Sequence, residues 1–109
     1  MIYTVQRFKI KPEWSDQFMD LLADASKATS EEDGCLWYVW SRNVDDPDEF
    51  ILLDGFRDEA AVQFHLSTDY GKQALATVTP LLAEEPVYLF ATVEGSESWN
   101  KFSDNPFSK

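Results

Sequence analysis

Two segments, CLWYVWSR over residues 35–42 and FILLDGF over 50–56, carry apolar side chains at both odd and even positions. A strand that buries one face and wets the other alternates apolar with polar residues. These two do not, so both faces of the sheet they build need cover. The turn between them, NVDDPDE, is rich in Asp and holds Pro47, and the pair reads as an antiparallel hairpin. Strict alternation in the first strand sends Cys35, Trp37 and Val39 one way and Leu36, Tyr38 and Trp40 the other. One layer of helices shields one sheet face only. For a chain of 109 residues, enough for one compact domain, the economical cover for the other face is a second copy of the chain.

The remaining elements follow from their periods. Residues 2–10, IYTVQRFKI, alternate as a strand, with Ile2, Thr4, Gln6, Phe8 and Ile10 on its buried side. Gln6 is the polar member of that row, and a buried amide needs partners. Pro12 suits a first helical turn, after which Trp14, Phe18, Leu21, Leu22 and Ala25 recur at helical spacing. EEDG ends that helix, with Gly34 a candidate for the left-handed conformation. Asp58 is placed to cap a helix running through AAVQFHL, which breaks at Ser67–Thr68–Asp69. A further helix carries Ala74, Leu75, Val78, Leu81 and Leu82, with Pro80 in its last turn. VYLFATV, after Pro86, is the final strand. The order β-α-β-β-α-β predicts a four-stranded antiparallel sheet with helices on one face, an α+β domain over residues 1–93. Residues 94–109 form a polar tail that keeps Trp99, Phe102 and Phe107, open to fraying or to docking on the domain or a partner.

Charge excludes some partners. Nine Lys and Arg stand against 20 Asp and Glu, a net charge of -11, which repels phosphate backbones and anionic lipid surfaces. Nucleic acid and membranes are not expected partners. With one Cys and one His a transition-metal site would need carboxylates for nearly all its ligands, so no metal is expected. The N-terminal residues lack the apolar run of a signal peptide, and a cytoplasmic protein is the default expectation. Cys35 reads as a small buried hydrophobe.

The runs RFKIKPEWSDQFMDLL, EDGCLWY and DPDEFILLDGFRDEAAVQFHLSTDYGKQAL together resemble the antibiotic biosynthesis monooxygenase domain. The acidic–Gly–Cys lead-in to the second strand, the DEF turn and the Ala–x–x–x–His–Leu–Ser segment carry the resemblance. It implies a ferredoxin-like fold, two subunits joined sheet to sheet as a dimeric α+β barrel, and a ligand cavity between sheet and helices. It implies a choice of activities: oxidation of quinols or anthrones by O2 without flavin or metal, haem degradation, or isomerisation of small phosphorylated sugars. Haem degraders carry an iron-ligating histidine where this chain reads GKQALATV, which argues against that activity. Phe56 stands where anthrone oxidases have tryptophan.

His65, flanked by Phe64 and Leu66, is the natural base for such an oxidation, because an ordinary imidazole titrates at about pH 6.5. The competing reading is a packing histidine near a helix end. Tyr70 and Gln6 are candidates to hold substrate oxygens, against a rim tyrosine and an amide bonded to backbone. Trp37, Tyr38, Trp40 and Phe56 are candidate pocket walls, or else core and dimer packing. The expected substrate is a small aromatic molecule, together with O2 and no bound cofactor. A small-molecule binding or isomerising protein using the same cavity without oxygen is the alternative.

Overall fold

The computed structural model describes residues 1–107. Strands β1 (Ile2–Lys9), β2 (Cys35–Arg42), β3 (Glu49–Phe56) and β4 (Val87–Thr92) form one antiparallel sheet in the order β2-β3-β1-β4. Helices α1 (Phe18–Ser30), α2 (Glu59–Ser67) and α3 (Asp69–Val78) complete the ferredoxin-like α+β arrangement. Pro12 opens a 3-10 segment, Pro12–Gln17, and the α-helix begins only at Phe18. From there Phe18, Leu22 and Thr29 bury one face.

Short-range chemistry fixes the second helical region. The Asp58 carboxylate accepts from the Ala61 N–H at 2.8 Å and caps α2. Thr68 joins two helices: its hydroxyl donates to the His65 carbonyl at 2.7 Å and accepts from the Gly71 N–H at 3.1 Å. A Cβ at Gly71 would stand 2.8 Å from both the His65 carbonyl oxygen and Thr68 Oγ1, so only glycine lets α3 start this close to the end of α2. That junction holds His65 in place.

Two local expectations are corrected. Gly34 is not left-handed, and no described residue has a positive φ. Its need for glycine is steric, because a Cβ there would meet the Ala61 Cβ at 2.3 Å. Strict alternation also fails at the start of β2. A bulge pairs Cys35 with Phe56 but Trp37 with Gly55, so Cys35 and Trp37 do not share a face.

The core, Ile10, Phe18, Leu22, Phe50, Val78 and Leu81, lies between helices and sheet, with Phe8 and Trp40 packed against it. Among the described residues no α-helix covers the opposite sheet face. Val39, Leu53, Val5 and Leu89 stand in register across all four strands there, with Val5 39%, Val39 40% and Leu89 74% exposed. At one end of this face the tail touches down. The Tyr3 hydroxyl donates to the Ser96 carbonyl at 2.6 Å, and the Trp99 ring sits 6.1 Å from that of Trp37. Ser108 and Lys109, the last two residues of the 94–109 tail, lie outside the described residues.

Candidate functional site

Sheet and helices enclose a cavity of about 300 Å³. Its walls are mostly apolar: Phe8, Trp40, Leu52 and Phe56 from the sheet, Leu22 and Val62 from the helices. Polar side chains also line it, among them Thr4, Gln6 and Asp54 on the sheet and His65 on α2. An apolar hollow with a few placed polar groups is the usual form of a small-molecule site, and this volume is at the small end of such pockets.

His65 is fixed from outside the cavity. Its Nδ1 lies 2.9 Å from Glu32 Oε2, and the same oxygen accepts from the Tyr70 hydroxyl at 2.5 Å. The Glu32 side chain is only 3% exposed, and its other oxygen, Oε1, has no partner among the described residues. An ionised carboxylate can only accept, so a neutral imidazole paired with it donates from Nδ1 and keeps its lone pair on Nε2. The ring is held among Phe56, Tyr38 and Tyr70, with centroids 5.5, 6.1 and 6.4 Å away. A carboxylate that fixes the tautomer of a histidine is the arrangement by which imidazole serves as a general base.

The floor holds a second carboxylate. Asp54 accepts from Thr4 Oγ1 at 2.5 Å and from Gln6 Nε2 at 3.3 Å, and Gln6 Nε2 also reaches Thr4 Oγ1 at 3.0 Å. Burial pushes the Asp54 carboxyl above its ordinary value; the Thr4 hydrogen bond and the charge of His65 act against that. Burial also pushes the Tyr38 phenol up to about 12, with nearby Asp54 acting the same way. Tyr70 is likewise pushed up to about 12, by burial and then by Glu32, so it remains a hydrogen-bond donor at neutral pH.

Of the residues singled out in the sequence, His65, Gln6, Tyr38, Trp40 and Phe56 line this cavity. Tyr70 does not. It borders a more open acidic cleft with Glu31, Asp33 and Asp58; its ring lies beside that of His65, and its hydroxyl is hydrogen-bonded to the Glu32 oxygen that His65 also contacts. Trp37 does not either; its pairing with Gly55 turns it to the outer sheet face, against Tyr3 at 4.7 Å. Gln6 spends its amide N–H groups on Thr4 and Asp54. Glu32 and Asp54 were absent from the sequence reading. Asp54 had a signal, an acid inside an otherwise apolar strand, which needs a reason. Glu32 sits in the run EED, which looks like any solvated acidic stretch.

The antibiotic biosynthesis monooxygenase family model matches residues 1–77. Over 83 residues the chain is 28% identical to "Putative monooxygenase YcnE" of Bacillus subtilis, covering 76% of this chain and 87% of that protein. It is 24% identical over 83 residues to the uncharacterized protein sll1783 of Synechocystis, covering 76% of this chain but only 56% of that longer protein. Among solved structures, an antibiotic biosynthesis monooxygenase superposes with a TM-score of 0.80 at 21% identity, over 87% of this chain and 100% of the other. A "putative antibiotic biosynthesis monooxygenase" of Caulobacter crescentus gives 0.77 at 29% identity, over 85% and 90%. No helix among the described residues is long and apolar enough to cross a membrane. With its match over residues 1–77 and the sheet and helices described above, the chain belongs to the antibiotic biosynthesis monooxygenase family.

Proposed function

We propose that this protein is a cytoplasmic, cofactor-independent monooxygenase that oxidises a quinol or small polycyclic phenol with O2 in the cavity lined by His65. The observation that carries this reading is a cavity-lining imidazole whose Nδ1 is tied to a buried carboxylate. His65 Nε2 takes the phenolic proton, and the electron-rich phenolate passes an electron to O2. The resulting radical pair joins carbon to oxygen as a ring hydroperoxide. Loss of water from that hydroperoxide, with removal of the ring C–H proton, leaves the oxygenated quinone. One atom of O2 enters the product, the other leaves as water, and the quinol supplies all the electrons. The apolar walls formed by Phe8, Trp40 and Phe56 keep solvent from the reactive anion.

Oxygen uptake by flavin- and metal-free protein offered reduced naphthoquinones and anthrones tests the proposal. Uptake that scales with protein and substrate is expected; none across the panel would remove the oxygenase reading. Asp54 favours a second reading. Its carboxyl lines the same cavity as His65, and the two groups together could move protons within a bound molecule without oxygen. Ligand-dependent stabilisation or isomerisation with no oxygen consumed would identify that case.

The working form we propose is a homodimer. The uncovered row Val39–Leu53–Val5–Leu89 supports it, because a monomer would leave this apolar band in water. Light scattering at micromolar concentration should give twice the chain mass. Val5→Glu, in the middle of the row, should shift the mass towards the monomer; a monomeric wild-type protein would contradict the proposal.

A further inference from the structure

Asp54 makes two hydrogen bonds with Thr4 and Gln6, and both are donated to it. A carboxylate offers about four acceptor positions, so roughly two stay open. The side chain lines the cavity on the sheet that forms its floor, while His65 enters from α2. No arginine lines the cavity among the described residues, and Lys72, which does, is solvent-exposed. A buried carboxylate with open acceptor positions attracts O–H donors and repels carboxylates and phosphates. An ether oxygen in the same place would leave it without a partner.

We infer that Asp54 is a specificity-determining residue that reads a second hydroxyl on the substrate, so that the cavity takes neutral aromatic diols with one hydroxyl on His65 and the other on Asp54. This goes beyond the proposed function, on which it rests, by selecting quinols over monophenols, anthrones and phosphorylated or carboxylated ligands. Thr4 and Gln6 are then positioning residues that aim the carboxylate.

The test is binding without turnover, followed under anaerobic conditions by tryptophan fluorescence, since Trp40 lines the cavity. The probes are naphthalene hydroquinone and its monomethyl ether, offered to the wild-type protein and to Asp54→Asn. The wild type should bind the diol at least about tenfold more tightly than the ether, the scale of one hydrogen bond to a charged group. In Asp54→Asn that preference should shrink to about twofold or less. Equal binding of both probes by the wild type would overturn the assignment of Asp54 while leaving the oxygenase proposal standing. A preference that survives in Asp54→Asn would overturn it as well. If the wild type binds neither probe, the cavity is not the aromatic site, and both proposals fall. The wild-type comparison decides the matter even if the variant does not fold.

Discussion

His65→Ala should lower kcat by about 10²–10⁴-fold, the contribution of a positioned general base, with a much smaller change in KM. The loss should be graded along the hydrogen-bonded chain behind the imidazole. Glu32→Gln keeps an oxygen able to accept from Nδ1 and Tyr70 but removes the charge that stabilises the imidazolium formed on proton transfer. Its kcat should fall between that of His65→Ala and the wild type. Tyr70→Phe removes one donor to Glu32 and leaves the contact with His65, so it should be the mildest of the three. Steady-state oxygen uptake on all three variants measures this order. Equal losses in all three, tracking their melting temperatures, would mean that the trio only holds the fold together.

Phe18→Ala should be the most damaging single change to stability. Phe18 is fully buried and packs on Phe50 at 4.5 Å and edge-on to Trp40 at 5.4 Å, joining α1 to both strands of the hairpin. Removing a buried phenyl ring costs about 3–5 kcal/mol. Single domains of this size have only about 5–15 kcal/mol in total. The melting temperature should drop by roughly 15 °C or more, since each kcal/mol is worth about 4–8 °C. Thermal unfolding followed by circular dichroism gives the answer, and a loss below about 1 kcal/mol would show that the site collapses around the missing ring. Because Trp40 is also a cavity wall, any folded variant should bind aromatic ligands less tightly.

Strand and helix order was legible in the sequence because each element carries its own period, and punctuation at Pro12, Pro47 and Asp58 matched it. What escaped depends on contacts between elements. The bulge in β2 inserts a residue that a period of two cannot register, and it sets Trp37 on a face different from that of its near neighbour Cys35. The demand for glycine at position 34 comes from Ala61, 27 positions along the chain, with no signature near Gly34 itself. His65 and Gln6 stood out as polar residues among apolar ones. Their partners did not: Glu32 is buried only because α2 and α3 close over the end of α1, bringing His65 and Tyr70 to one carboxylate oxygen. The aromatics of the tail left docking open in the sequence, but that Trp99 meets Trp37 was not legible, because that contact joins residues 62 positions apart with no local signature.

The most direct measurement is the fate of the oxygen atoms. Flavin- and metal-free protein is given naphthalene hydroquinone under isotopically heavy oxygen gas, and the product is weighed by mass spectrometry beside the same reaction with His65→Ala. Base-assisted monooxygenation in this cavity predicts one labelled atom in the quinone product of the wild type and little product above background from the variant. An unlabelled product, or labelled product formed equally well without His65, would contradict it.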